Sequence, residues 1–346
     1  MNHTPRLQQP SGSDHLLPFI MNRFSPSPFS SLGPVAVLAL GVVALLSGCA
    51  TREPGVSFGP FAGDRAVQTQ IFLDAQNFGP GVVDGDSGEF TSKALALYNR
   101  SNGLPETSKP DVSLIEPYAT YTITAEDLKK IGVMAVEVAD LAKQKSLPYS
   151  SLSELVSERY HTTQAFLATL NPGVQIDSLP AGSVVKVPNI SNPFRVDQFP
   201  GNYSAASASE AAGRTVLVDT RLRMLEIAEN GRTIAAFPIT PGSDEHPAPV
   251  GEWKIAGAVP WPWYRYDEGV LKRGERTADF YMLPPGPNSP VGTLWAGLNR
   301  PGVGIHGTTS PDTIGRSGSH GCIRLSNWDA AKFYTMVRKG TPVTIR

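Results

Sequence analysis

His306-Gly307-Thr308 and, a short way on, Ser319-His320-Gly321-Cys322-Ile323-Arg324-Leu325 form the stretch around which the chain can be read. It holds two of the six histidines and one of the two cysteines. A thiol is a useful nucleophile only as thiolate, and it needs a base to become one. His306 precedes Cys322 by sixteen positions (322 − 306), so a single loop can bring imidazole and sulfur together. His320 lies two before Cys322, and in a strand those side chains share a face. Gly321 leaves the backbone bare beside the sulfur, where amide N–H groups can hold an oxyanion. A lone cysteine is more often a small buried hydrophobe, but the density of this cluster argues for chemistry. Zinc is the weaker reading, because His306, His320 and Cys322 still lack a fourth ligand and a supporting shell.

Outward from this stretch the pattern is one of short strands. Val216-Leu217-Val218-Asp219 and Met224-Leu225-Glu226-Ile227 alternate or run apolar, and Asn230-Gly231 between apolar segments predicts a tight hairpin turn. Trp253-Lys254-Ile255, Leu294-Trp295-Ala296 and Val343-Thr344-Ile345 add further strands. One late helix is expected over residues 328–337, with Ala331, Phe333 and Val337 turned inward. Residues 260–266 are aromatic and interrupted by Pro260 and Pro262, which predicts a loop serving as a lid over an extended peptide.

Together these residues resemble the signature of the L,D-transpeptidase (YkuD) family. Its opening hairpin, its Thr240-Pro241-Gly242 and Ala248-Pro249-Val250-Gly251-Glu252-Trp253 segments, and its Pro287-Asn288-Ser289-Pro290-Val291-Gly292 approach to the catalytic loop all have counterparts here. The resemblance covers residues 213–346 and implies a mainly-β, mixed β-sandwich-like catalytic domain with one helix. It implies that Cys322 attacks a peptidoglycan stem peptide to form a thioester. His306 is then the base, with its imidazole oriented by the carbonyl of Gly307. Gly321 and His320 would shape the oxyanion loop, although the residues alone leave the two histidines' roles interchangeable. Arg324, Ser319, Trp263 and Tyr264 are the candidate substrate contacts, Arg324 reading equally well as part of a structural ion pair. The acceptor would be a second stem, giving a 3→3 cross-link, or the lysine of an outer-membrane lipoprotein. Water as acceptor would make a hydrolase, and a wall-binding protein with reduced catalysis is the remaining alternative. No cofactor and no metal are implied.

The chain has 346 residues, room for several domains, and the expectation is a multidomain protein. Thirty basic against 31 acidic residues give a net charge of −1, with no basic footprint for nucleic acid. Residues 32–46 are mostly apolar, short for a membrane span and typical of a signal-peptide core. They lead into Leu46-Ser47-Gly48-Cys49, which resembles a bacterial lipobox. Residues 1–48 therefore read as a lipoprotein leader, with Met21 an alternative start. Cys49 reads as the lipidation site that would anchor an exported, periplasmic protein to the envelope, the outer membrane above all. Residues 49–63 read as a tether. Residues 64–108 resemble a small α-helical peptidoglycan-binding domain, with Asp84 in its Asp84-Gly85-Asp86 loop either a ligand contact or a loop stabiliser. Residues 121–190 end like an α+β LysM module, a glycan binder or else a spacer, with an opening strand expected at Tyr121-Thr122-Ile123-Thr124 and an insertion up to Ser150. Residues 191–212 read as a linker.

Overall fold

A computed structural model describes residues 64–346 except 317, 319 and 320. The leader, Cys49 and the tether lie outside the described residues, as do Ser319 and His320. In chain order the helices and strands begin with α1 (Arg65–Ala75), α2 (Glu89–Ser101), β1 (Tyr118–Thr122), α3 (Ala125–Leu128), α4 (Val138–Leu141), α5 (Leu152–Arg159), α6 (Gln164–Leu170) and β2 (Val184–Pro188). The strand-rich part follows with β3 (Arg214–Asp219), β4 (Met224–Glu229), β5 (Arg232–Pro238), β6 (Thr240–Pro241), β7 (Gly251–Pro260), β8 (Tyr264–Tyr266), α7 (Glu268–Arg273) and β9 (Tyr281–Leu283). It closes with β10 (Leu294–Leu298), β11 (Gly304–His306), β12 (Ile323–Arg324), α8 (Asn327–Met336) and β13 (Pro342–Ile345).

Nine strands form one mixed sheet in the order β5-β4-β3-β13-β7-β10-β11-β12-β6. The hairpin β4–β5 turns on Asn230 (φ 51°) and Gly231 (φ 85°), the two left-handed residues that a two-residue turn needs to match strand twist. β7 is the shared member. Residues 251–254 pair with β13 and residues 255–260 with β10. Two pairs are parallel, β13–β3 and β11–β12, and the second of these builds the candidate site. Alternation does the sorting in β3, where Val216 and Val218 are buried and Leu217 is half-buried. α8 lays Ala330, Ala331 and Phe333 against the sheet core and is capped by Ser326, whose side chain accepts from the Asp329 amide.

Two sequence expectations need correction in this region. Residues 260–266 are not a plain loop: β8 pairs with β9, Tyr264 opposite Leu283 and Tyr266 opposite Tyr281, with α7 between them. The prolines only end β7. Trp261 turns the chain at φ 51°, and Tyr264-Arg265-Tyr266 then has the β propensity to pair. α7 is a second helix where one was expected. Its signals were local and short: Asp267 accepts from the Gly269 and Val270 amides, and Gly274 closes the helix in the left-handed conformation.

The N-terminal elements pack on the same body, and the described residues make one compact unit. α1 and α2 cover the outer strand β5, which would otherwise present an unpaired edge. Phe78 bridges to Ala236, and Leu73, Phe78, Ala94 and Leu97 share a small core with Met224 and Ala236. β1 and β2 pair antiparallel, with α5 and α6 between them in sequence. β1 ends earlier than the sequence suggested, because Thr124 leaves the strand to cap α3 in a reciprocal box with Asp127. The insertion docks too: the Leu147 amide donates to Pro285 O at 3.0 Å and the Asn288 amide to Leu147 O at 3.2 Å. Residues 191–203 bury Phe194, Val196 and Phe199, and Trp261 Nε1 donates to Phe199 O at 2.8 Å. Asp84 accepts from Gln70 Nε2 and from the Asp86 amide, each at 3.0 Å, so here it braces its own loop.

Candidate active site

The site is built by three neighbouring strands. β11 ends at His306, and in the parallel β11–β12 ladder Ile305 lies opposite Ile323 and His306 opposite Arg324. The Leu325 amide donates to His306 O at 2.8 Å. Cys322 leads into β12 and lies two residues from Arg324, so thiol and guanidinium share one side of the strand. In-register partners also share a side, which adds His306 to that face. From the other flank β10 sets Trp295 opposite His306, and the two rings stack at 5.6 Å with 24° between planes.

His306 is buried and its Nδ1 lies 2.7 Å from Gly307 O. A carbonyl only accepts, so Nδ1 carries the proton and Nε2 is left with its lone pair. Burial pushes the imidazole down to about 4, with the Arg324 charge adding to the effect and the Gly307 bond opposing it. Burial pushes the Cys322 thiol up, against a backbone hydrogen bond from Gly304 and the Arg324 charge. The sulfur donates to Gly302 O at 3.5 Å. The resting pair is thus a neutral thiol and a neutral imidazole, which suits a base that takes the proton as the thiol attacks.

Gly321 sits at φ 89°, a conformation that a side chain at this position would strain. Gly307 is required for space, since a Cβ there would stand 2.2 Å from Asn327 Oδ1. Arg324 Nη1 donates to Gly318 O at 3.1 Å, so this cation braces the loop as well as flanking the thiol. Tyr264 is half-buried and its phenol is pushed up by burial and then by the Cys322 charge, which places it within electrostatic reach of the sulfur. Trp263 is 56% exposed. An open cleft of about 560 Å³ runs along Arg223, Ser243, Pro247, Arg316 and Gly318, and Pro247 O lies 3.4 Å from where a Gly321 Cβ would be. Sequence reading passed over Trp295 and Asn327 as site residues. Trp295 was visible only as part of an apolar strand, and its stacking depends on a register that no spacing reports.

Residues 213–345 match the L,D-transpeptidase catalytic domain, YkuD, and that segment is a YkuD-family L,D-transpeptidase catalytic domain. The chain is similar to YkuD of Bacillus licheniformis, a candidate L,D-transpeptidase, at 28% identity over 192 residues, 56% of this chain and 92% of the relative. It is similar to the corresponding Bacillus subtilis protein at 26% over 192 residues, 55% of this chain and 90% of that one. Among solved structures, an Enterococcus faecium L,D-transpeptidase aligns at TM-score 0.31 and 23% identity, over 39% of this chain and 50% of that one. The chain thus spans about half the length of that enzyme.

Proposed function

We propose that the protein is a cysteine-dependent L,D-transpeptidase acting on peptidoglycan stem tetrapeptides. Cys322 gives its proton to His306 Nε2, and the sulfur attacks the carbonyl at the bond between the stem's L-centre and D-alanine. The tetrahedral oxyanion is held by backbone amides around Gly321 and Cys322. On collapse the C–N bond breaks, His306 returns the proton to the departing amine, and a thioester remains. An acceptor amine then attacks the thioester and the thiolate leaves, reprotonated through His306. The acceptor is a second stem, forming a 3→3 cross-link, or the lysine of an outer-membrane lipoprotein. The bond between His306 Nδ1 and Gly307 O, made on the strand that pairs with the one Cys322 leads into, carries this reading. The cleft beside Gly318 and Pro247 has room for an extended peptide, and Arg324 and Tyr264 flank the sulfur where a substrate carboxylate would arrive.

Mass spectrometry of products from a defined tetrapeptide muropeptide tests the activity. Cross-linked dimer with release of D-alanine is expected. Tripeptide alone assigns water as acceptor, and unchanged substrate overturns the proposal. The same reading places the protein at the cell envelope, lipid-anchored through Cys49, with residues 64–108 and 121–190 bearing on wall polymer. Detergent partitioning of wild type but not of Cys49→Ser, and pelleting of the full chain with purified sacculi, are the expected results. Equal solubility of the two forms would remove the anchor.

A further inference from the structure

Gly307, whose carbonyl holds the His306 imidazole, is itself held from behind. Asn327, the first residue of α8, is fully buried, and its Oδ1 comes so close to Gly292 and Gly307 that a Cβ on either would stand 2.1 or 2.2 Å away. That oxygen accepts from the Thr293 amide at 3.1 Å. The other end of the amide, Nδ2, donates to Glu158 Oε2 at 2.9 Å and to Pro287 O at 3.3 Å. Glu158 lies on α5, far away in sequence from the strands, and is 5% exposed. Its second oxygen accepts from Tyr149 Oη at 2.6 Å.

An asparagine amide can sit either way round, and its partners decide which. Turned over, Asn327 would set its oxygen against the Glu158 carboxylate and its N–H₂ against the Thr293 N–H, two clashes of like with like. The carboxylate at 158 therefore selects the orientation in which an oxygen, compact and without hydrogens, faces the glycine pair. With N–H₂ there, Gly307 would be forced away and its carbonyl would leave the imidazole. Burial, helped by the Glu154 charge, pushes Glu158 up to about 7, with the Tyr149 and Asn327 bonds opposing it, so the group is costly to keep ionised. A buried carboxylate that adds so little stability has its justification in what it orients.

We propose that Asn327 and Glu158 are positioning residues for His306: Glu158 fixes the sense of the Asn327 amide, and Asn327 fixes the Gly307 carbonyl that sets the imidazole. This rests on the reading of His306 as the base for Cys322. It also gives the α5 segment a task in the catalytic step, apart from any contact with wall polymer.

The test uses the full chain with ¹⁵N-labelled histidine and a carbapenem, whose strained lactam acylates the thiol. In wild type the His306 signal, assigned by its loss in His306→Ala, is expected to be that of the Nδ1–H tautomer. Asn327→Asp sets carboxylate against carboxylate and is expected to lose that tautomer. Its acylation rate constant should fall about 10²-fold, as a misplaced base does, while the carbapenem's initial binding constant is unchanged. Adding Glu158→Gln to Asn327→Asp restores a donor to face the introduced carboxylate, with the Gln oxygen still accepting from Tyr149, and should recover both tautomer and rate. Glu158→Leu removes the orienting charge from a site where burial opposed it. It is expected to keep the melting temperature yet show a mixed tautomer and slower acylation. A folded Glu158→Leu protein with wild-type tautomer and rate overturns the proposal, as does a double variant that recovers neither. If wild type is not acylated at all, the transpeptidase reading fails, while the tautomer still reports on the positioning pair.

Discussion

At the scale of single residues, the pairing of a thiol pushed up with an imidazole pushed to about 4 has a readable consequence. An ion pair preformed at rest would keep Cys322 as thiolate far below neutral pH. Here the alkylation rate with iodoacetamide is expected to climb through and beyond the ordinary thiol range of about 8.5, without a plateau near neutrality. A plateau at pH 6 would show a thiolate–imidazolium pair instead. His306→Ala is expected to lower carbapenem acylation by about 10²–10⁴, the usual worth of a general base, and Cys322→Ala to abolish the adduct. An adduct on Cys322→Ala, read by intact mass, would move the nucleophile elsewhere. The candidate nucleophile, base and carbonyl were legible as residues because Gly307 adjoins His306 and one sixteen-position loop separates His306 from Cys322. Trp295 and Asn327 were not, since Trp295 reaches His306 through a strand register and Asn327 reaches Gly307 from a helix start.

At the scale of elements, β11 and β12 are short, and a parallel pair of this size is held in place by what surrounds it. Gly307 is the tight point. Gly307→Ala puts a methyl 2.2 Å from Asn327 Oδ1 and 3.2 Å from Gly292 Cα, both firmly seated. A loss of about 1–3 kcal/mol is expected from such overpacking, measured by denaturant unfolding, with acylation falling further than the stability change explains. An alanine variant as stable and as fast as wild type would show that the loop is slack. The hairpin at Asn230-Gly231 and the α8 core positions Ala331 and Phe333 were readable because turn chemistry and helical period are local signals. The β8–β9 pair was hidden by its prolines. Its strands are three residues each, and what joins them is cross-strand partnership between residues 264–266 and 281–283.

At the scale of the whole molecule, the joint between the N-terminal elements and α8 is paved with buried ionisable groups. Asp74 meets Lys332 Nζ at 2.8 Å and His161 Nδ1 at 2.9 Å, and His161 stacks on Trp328. Asp329 lies nearby, pushed up to about 7 by burial first and then by the Asp74 charge. A carboxyl raised in the folded state lends full stability below its unfolded range and loses it as pH rises through about 7. Asp329→Asn escapes that loss. Its melting temperature is expected to match wild type near pH 4 and to exceed it at pH 8, by stability on the order of 4 kcal/mol. An equal difference at both pH values would mean that ionisation of Asp329 is not the cause. This joint was the least legible part of the sequence, because Asp74, His161 and Lys332 are far apart along the chain and meet only in the folded molecule.

The place of β13 in the sheet bears on when such a protein can act. Residues 342–345, last of the strands in chain order, lie between β3 and β7, joining the first hairpin to the strands that carry His306 and Cys322. A chain stopped before Pro342 is expected to lack a protease-resistant core, and a resistant one would show that the two halves close without it. Until β13 has been delivered, the strands that carry His306 and lead from Cys322 have no completed sheet to stand on, and the proposed chemistry waits for that strand.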